Sequence, residues 1–245
     1  MSLSDDFHEL IAEAEEHPER LREAAALVLE APETAETNGL LALMYHEGIG
    51  VATDLDKACA LAEKAAFEGG DPLGYFLLGY MCDNIETPDQ AKGGDRQRYD
   101  HYDAERFYEI CAGKESRWQA PARMWLGDYY MDMARGGDPE IAVEHYEAIA
   151  ERWPQAAYAL CDYYWGMHAA CPDDEEVARN VYRWTLAAVT ENPHDYSYHM
   201  GCVHAEGIGC NVALRLARKY WEDAYAFGDS RASAALAALE SRMKR

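Results

Sequence analysis

One pattern occurs twice in this chain, once near each end, and it limits the folds that the chain can adopt. Residues 38–66 and 197–226 each contain an apolar helical segment, the tetrapeptide Glu-Gly-Ile-Gly and a second helical segment rich in alanine. One helix pair cannot bury its apolar face alone, so a recurring pair indicates a stack of such units. The recurrence therefore predicts an all-α helical repeat protein.

Three weaker copies lie between these two in the same register. In every copy the first helix, here called helix A, carries one small residue, and we expect it to let the second helix, helix B, approach closely. The small residues are Ala42, Gly79, Gly127, Cys161 and Gly201. Helix B carries residues at i, i+4 and i+7, which share one helical face. These stripes are predicted at Ala58/Ala62/Ala65, Ala104/Tyr108/Cys111, Ala142/Tyr146/Ile149, Ala178/Tyr182/Thr185 and Ala217/Trp221/Ala224.

The register divides the chain into predicted parts. Five repeats are expected over residues 37–71, 72–118, 119–153, 154–194 and 195–229, which together cover 37–229. Residues 1–36 are expected to form a further helix pair, either a cap or a degenerate repeat, and residues 230–245 a capping helix. Gly70-Asp71-Pro72 and Gly137-Asp138-Pro139 each read as a helix-ending glycine, an N-cap aspartate and a proline at the first helical position.

The first strong copy resembles a known family. Residues 41–69 match the motif of the Sel1-like repeat, a relative of the tetratricopeptide repeat, at Leu41, Ala42, Tyr45, Gly48, Gly50, Val51, Asp54, Lys57, Ala58, Lys64, Ala65, Ala66 and Gly69. Residues 200–228 match less well, with His204 where tyrosine is expected and Cys210 where valine is expected. The resemblance implies a right-handed α/α superhelix of helix pairs that acts as an adaptor or scaffold for other proteins.

Composition narrows the possible partners. The net charge of −23 excludes nucleic acid and anionic membrane surfaces as favourable partners, because their phosphates would be repelled. The sequence contains no run of about 20 apolar residues that would span a membrane. The N-terminus shows no signal peptide, which favours a cytoplasmic location. Seven cysteines, an odd number in a chain of this length, favour free thiols in a reducing compartment.

The most credible site is a groove lined by the A helices. If the helices are arranged as in tetratricopeptide repeats, the concave face carries aromatic side chains interleaved with carboxylates, which suit a basic or aromatic-rich segment of a partner protein. The packing alternative is that these rings contact neighbouring helices and that the acids only keep the face solvated. The predicted groove residues are His46, Phe76, Tyr80, Asp83, Met124, Asp128, Asp132, Tyr158, Asp162, Trp165, Asp195, Tyr198 and Glu206.

Other functions have weaker support in the sequence. An acidic repeat protein would also suit an immunity or inhibitor protein that neutralises a basic toxin. A hydrolase of the β-lactam or cell-wall type would need more than the Ser-x-x-Lys at residues 241–244, because no Ser-Asp-Asn or Lys-Thr-Gly accompanies it. His199, Cys202 and Glu206 share a helical face, but their spacing is not that of a structural zinc site. We therefore predict no catalytic residue, no metal and no cofactor.

One insertion departs from the repeat length. Residues 84–99 are polar and loop-like, and they carry Lys92, Arg96 and Arg98. An insertion within one repeat is often placed on the binding face of a solenoid. A tolerated loop without function is the competing interpretation.

Overall fold

A computed structural model describes residues 2–84, 99 and 101–243. These residues form thirteen α-helices and no strand, and successive helices pack against one another in pairs. The predicted all-α fold class of helix pairs is therefore confirmed. The chain divides into two compact units, Met1–Tyr129 and Tyr130–Arg245, called unit 1 and unit 2 below. The boundary between them falls inside the range 119–153 predicted for the third repeat.

Unit 1 contains the first seven helices. They are α1 (Leu3–Glu13), α2 (Arg20–Leu29), α3 (Ala35–Glu47), α4 (Leu55–Glu63), α5 (Pro72–Asp83), α6 (His101–Ala112) and α7 (Gln119–Met131), the last of which crosses the boundary. A short π-helical turn, Lys64–Glu68, continues α4. The pairs α1–α2, α3–α4 and α5–α6 make the main contacts of this unit.

Unit 2 begins with a 3-10 turn, Met133–Arg135, and contains six helices. They are α8 (Pro139–Glu147), α9 (Pro154–Ala170), α10 (Glu175–Glu191), α11 (Pro193–Glu206), α12 (Leu214–Ala226) and α13 (Ser230–Met243). The pairs α9–α10 and α11–α12 pack most closely, and α13 covers α12. The core beneath them includes Val181, Met200 and Val203, none of which is more than 1% exposed.

The two Glu-Gly-Ile-Gly loops have the same conformation. Gly48 and Gly207 end α3 and α11 with φ near +75°, and the second glycine of each loop also has a positive φ. An L-residue with a side chain rarely adopts this conformation. The amide of Ile49 donates to the carbonyl of Met44 at 3.0 Å, and the amide of Ile208 donates to that of Val203 at the same distance. The recurring tetrapeptide therefore encodes one turn between helix A and helix B.

The second glycine of each loop also contacts the helix B that precedes it. A Cβ placed on Gly50 would lie 2.2 Å from the Cβ of Ala25 in α2, and one on Gly209 would lie 2.2 Å from the carbonyl oxygen of Ala178 in α10. Glycine is therefore required for space as well as for backbone conformation. Since α2 meets its following loop as α10 does, α1–α2 resembles a helix pair of the stack.

The small residues of helix A have the predicted environment. Ala42, Cys161 and the three glycines are buried. A Cβ on Gly79 would lie 3.0 Å from the ring of Tyr108, and one on Gly201 would lie 2.4 Å from the indole of Trp221. In both pairs an aromatic side chain of the helix B stripe lies directly over the glycine. The two helices can pack this closely only because glycine has no side chain.

Two sequence expectations about local structure are wrong in detail. The left-handed glycine before α8 is Gly136, which ends the 3-10 turn with φ 81°, and not Gly137. The buried stripe of α10 is displaced by one residue at its first two positions, where Val177 and Val181 are buried and Ala178 and Tyr182 only half-buried, whereas Thr185 is buried as predicted. The branched valine side chains fill the core here better than the smaller alanine would.

Some expectations concern residues that the structure does not describe. Residues 85–98 of the predicted loop 84–99, with its three basic residues, lie outside the described residues, as does Lys244. Within the described ranges, no helix is long and apolar enough to cross a membrane.

Candidate functional site

In unit 1 the predicted groove residues contact other side chains of the chain itself. The ring of His46 lies edge-on to that of Tyr80, with 5.4 Å between centroids, and its Nδ1 is 2.7 Å from a carboxylate oxygen of Glu47. Phe76 of α5 lies 4.9 Å, centroid to centroid, from Trp118. Met124 is half-buried and Asp128 is exposed on α7.

The carboxylate of Asp83 has a donor within unit 1. It accepts a hydrogen bond of 3.0 Å from the indole Nε1 of Trp125 on α7. That indole stacks on Tyr108 at 4.3 Å and on Tyr129 at 5.1 Å between ring centroids. Phe76 meets Tyr108 edge-on at 5.5 Å, so ring contacts run from Trp118 through Phe76, Tyr108 and Trp125 to Tyr129. We call these five rings the unit 1 stack, and Asp83 accepts a hydrogen bond at its edge.

The N-terminal helix α1 covers one end of this stack. The ring of His8 lies 5.6 Å from that of Trp118, and Arg117 reaches the carbonyl oxygen of Ser4 at 3.5 Å. Phe7 anchors the helix, since its side chain is fully buried. The space beside this contact is a cleft of about 290 Å³ lined by residues from α1, α3, α5 and the segment before α7.

In unit 2 the predicted residues of α9 and two residues of α11 come together. The ring of Tyr158 stacks on Tyr196 with 5.2 Å between centroids, and the indole of Trp165 lies 5.5 Å from the imidazole of His199. Asp162 lies between Tyr158 and Trp165 on the same face of α9, because the three residues are four and three positions apart. We call these five residues the α9–α11 cluster.

Asp162 differs from Asp83 in its partners. Among the described residues no group donates a hydrogen bond to its carboxylate and none forms an ion pair with it. Burial raises the pKa of Asp162, and burial together with this nearby charge raises the pKa of Tyr196. The indole Nε1 of Trp165 points inward instead, where it donates to the buried hydroxyl of Thr185 at 2.9 Å. The carboxylate is thus left without a donor beside aromatic rings.

His199 does not neutralise Asp162 at neutral pH. Burial lowers the pKa of His199, and the positive charge of Arg231 lowers it further. The imidazole is therefore uncharged near pH 7. It contributes a ring to the cluster and no positive charge.

The ring of Tyr198 makes a cation–π contact with an arginine of the same chain. The guanidinium of Arg231, at the start of α13, lies 4.3 Å from the centroid of the Tyr198 ring. The same guanidinium donates to Asp229, with Nη2 at 2.7 Å from Oδ2 and Nε at 3.0 Å from Oδ1. An aromatic face and a carboxylate together hold one arginine here.

The remaining predicted groove residues lie at the ends of helices. Asp132 accepts a hydrogen bond from the amide of Ala134 at 3.0 Å and begins the 3-10 turn. Asp195 accepts from the side chain of Asn192 at 2.8 Å in the first turn of α11. Glu206 is exposed at the last position of α11. The first two have structural contacts that explain them without a partner.

Three residues near these sites were not predicted as groove residues. Trp125 and His199 lie two positions before the small residue of their helix, and Tyr196 lies five positions before it. The tetratricopeptide register pointed to the neighbouring positions Met124, Asp195 and Tyr198. His199 was considered only as a metal ligand.

Several histidine and cysteine side chains are buried and take part in packing. Across the described residues no group of three or more His, Cys, Asp or Glu side chains is placed to hold a metal ion. His204 is buried and stacks on Tyr220, with 5.7 Å between centroids. All seven cysteines are free thiols, and burial raises the pKa of Cys161 to about 11 and that of Cys111 to about 12. These two thiols are therefore protonated and poor nucleophiles at neutral pH.

Comparison with known proteins supports the fold. No protein-family model and no curated protein matches this chain. Among solved structures, a Sel1 repeat protein from Oxalobacter formigenes is 19% identical with a TM-score of 0.61, over 92% of this chain and 86% of that protein. The c5321 protective antigen of uropathogenic Escherichia coli, which displays an SLR fold, is 22% identical with a TM-score of 0.55, over 89% of this chain. This chain spans 42% of that antigen's length. The helix pairs, the two shared turns and the similarity to these two structures show that the fold of this chain is the Sel1-like repeat fold.

Proposed function

We propose that the chain binds another protein, and that it does so through the A-helix surfaces that carry aromatic rings and carboxylates. Stacked helix pairs usually present such surfaces to protein ligands, and proteins of this fold include a protective antigen and other repeat proteins. The observation that carries the proposal is the α9–α11 cluster, where half-buried rings lie beside the exposed carboxylate of Asp162, which has no donor among the described residues. Aromatic rings supply contact area at low entropic cost.

The preferred ligand in this proposal is a basic or aromatic-rich segment. The net charge of −23 attracts cations over the whole surface, and the carboxylates of the A helices add hydrogen-bond acceptors beside aromatic rings. The five repeat ranges, the N-terminal helix pair as a cap or a degenerate repeat, the C-terminal capping helix and the thirteen groove residues remain part of the proposal, as does the absence of catalysis.

The test is a selection from a random peptide library displayed on phage, followed by binding measurements with synthetic peptides. We expect selected peptides to be rich in Arg, Lys and aromatic residues, and their affinity to fall between about 50 and 500 mM salt because screening weakens charge attraction. A groove variant with Tyr158, Asp162 and Trp165 changed to Ala should lose binding.

A second variant controls for total charge and removes more of it than the groove variant, which loses only the charge of Asp162. Glu140, Glu176 and Glu222 are exposed acids on the B helices α8, α10 and α12, and changing them to Gln removes three charges away from the cluster. This variant should keep its affinity within about threefold, since distant exposed charges contribute little. Equal losses in both variants would show non-specific charge attraction and would contradict a site on the A helices.

A further inference from the structure

The α9–α11 cluster has the parts of a site for a planar cation. Tyr158, Asp162 and Trp165 share one face of α9, and Tyr196 and His199 face them from α11. The ring pairs Tyr158–Tyr196 and Trp165–His199 are 5.2 Å and 5.5 Å apart. All four rings are half-buried, so each keeps part of its surface open to solvent.

The negative charge of the cluster is uncompensated within the described residues. Asp162 has no hydrogen-bond donor and no ion-pair partner there, and the nearest imidazole is uncharged at neutral pH. A carboxylate that has lost part of its hydration binds a cation more strongly than one surrounded by water. The cluster therefore lacks one positively charged group that can also lie against a ring.

The same unit shows which group satisfies such a site. Arg231 places its guanidinium 4.3 Å from the centroid of Tyr198 while it donates to both carboxylate oxygens of Asp229. A guanidinium is flat, remains charged at all relevant pH values and carries several donors in one plane. An ammonium group has no flat face, so it gains less from a ring and a carboxylate together.

We propose that the α9–α11 cluster binds the guanidinium of an arginine side chain from a partner protein, with Asp162 accepting its hydrogen bonds and the rings of Trp165 and Tyr196 both in contact with it. This inference rests on the proposed function and specifies the group that the site recognises. It implies that at least one arginine of the bound segment is required and that lysine does not replace it.

The experiment uses the full chain labelled with ¹⁵N and follows the indole N–H signals of its six tryptophans by NMR. The Trp165 signal is assigned from its loss in a Trp165→Phe variant. The probes are three blocked tripeptides, Gly-X-Gly, in which X is Arg, Lys or citrulline. Citrulline has nearly the shape of arginine without its charge, and lysine has the charge without the planar group.

We expect the arginine peptide to shift the Trp165 signal in a saturable way, with a dissociation constant in the millimolar range (about 1–10 mM), as befits a single side chain. Lysine should bind at least about fivefold more weakly and citrulline should give no saturable shift. Asp162→Asn should abolish the arginine response. Glu176→Gln, an exposed acid of α10, should leave it unchanged.

A second variant keeps the test valid if Asp162→Asn alters the fold. Tyr196→Leu retains an apolar side chain beside Tyr158 but removes a stacking face, and it should weaken the arginine response at least about threefold. Unchanged indole signals elsewhere in the spectrum show that each variant keeps its structure.

The possible results separate this inference from the proposed function. Equal shifts with arginine and lysine would overturn guanidinium recognition and leave a general cation site. No shift of the Trp165 signal with any probe, while a selected basic peptide still binds, would overturn the site and leave the proposed function intact. Failure of both the tripeptides and the peptide selection would overturn the two together.

Discussion

Asp83 in unit 1 accepts a hydrogen bond from the indole of Trp125. Asp162 in unit 2 has no donor in the part of the chain that the structure describes, although Trp165 lies one turn away on the same helix. Both carboxylates are exposed acids on A helices beside half-buried tryptophans. The difference lies in where each indole N–H points. Trp125 points outward to a carboxylate, and Trp165 points inward to the hydroxyl of Thr185.

The covering of the two aromatic surfaces differs as well. In unit 1, α1 places His8 against Trp118, so part of the stack is in contact with the chain's own N-terminal helix. In unit 2, α13 covers Tyr198 with Arg231 but does not cover Asp162. Two A-helix surfaces of similar composition therefore differ in their contacts. In unit 1 the rings and Asp83 contact other residues of the chain, whereas in unit 2 Asp162 has no hydrogen-bond or ion-pair partner among the described residues.

The largest expected effect comes from removing the contact of α1 with the aromatic rings of unit 1. Phe7→Ala removes a fully buried ring from α1 and should lower the free energy of unfolding by about 3–5 kcal/mol. It should also release His8 from Trp118 and raise the quenching of tryptophan fluorescence by acrylamide. Urea unfolding measures the loss. Leu29→Ala on α2, where the side chain is 54% exposed, is the control and should stay within about 0.5 kcal/mol.

The next largest effect is expected at the contact between helix A and helix B, which we compare in the two units. Gly201→Ala places a Cβ 2.4 Å from the indole of Trp221, which is buried and donates to the carbonyl of Tyr198 at 3.2 Å. We expect a loss of about 1–3 kcal/mol from overpacking. Gly79→Ala places its Cβ at the longer distance of 3.0 Å from the ring of Tyr108, so the gain in helix propensity of about 0.5–1 kcal/mol, which both substitutions share, offsets much of the smaller strain at this position. Equal losses in thermal or urea unfolding would contradict this difference.

A smaller pair of changes should have opposite signs. Asp83→Asn weakens the hydrogen bond from Trp125 and should lower stability by up to about 1 kcal/mol. Asp162→Asn should raise stability at pH 7 by no more than about 0.5 kcal/mol, because burial disfavours the ionised form of Asp162. A raised pKa means that the folded state binds the proton more tightly, so this gain is present above the folded-state pKa. It should disappear as the pH falls below the ordinary value of 3.8. Urea unfolding at pH 7 and pH 3 checks both signs.

The smallest expected effect is a loss of folding stability when the pH is lowered from neutral, and it involves both units. Burial lowers the pKa of His8 in unit 1 and of His199 and His204 in unit 2. Each folded-state pKa lies below the ordinary 6.5, so the unfolded chain takes up protons first, and stability falls as the pH drops through about 6.5. His204→Phe keeps a ring against Tyr220 and should reduce this slope. Unfolding midpoints between pH 5.5 and 7.5 test it, and an unchanged slope would show that His204 takes no part.

The turns were the most predictable part of the fold. Glu-Gly-Ile-Gly needs two residues with positive φ, and only glycine adopts that conformation at low cost, so the tetrapeptide identifies the same turn at both ends of the chain. The small residues of helix A were predictable for a similar reason, since Gly79 and Gly201 each face an aromatic ring too close for a side chain.

The site was less predictable because side-chain direction depends on neighbouring helices. The register predicts Tyr158, Asp162 and Trp165 on one face of helix A, but it could not show that Trp165 donates inward to Thr185. It also selected Tyr198 on α11, whereas His199 faces α9 and Tyr198 faces α13. A one-residue rotation of the helix exchanges these roles, and sequence spacing alone does not resolve a rotation of that size.

The hydroxyl of Thr185 has a consequence beyond packing. It is fully buried on α10, so no ligand touches it, yet it holds the indole of Trp165 away from Asp162. A valine there would keep the shape and remove the acceptor, and the indole N–H of Trp165 would then lose its partner, with Asp162 three positions away on the same helix. A buried residue therefore determines where the indole of Trp165 points. A substitution at this one position would change the binding properties of the α9–α11 cluster without changing any residue that a partner contacts.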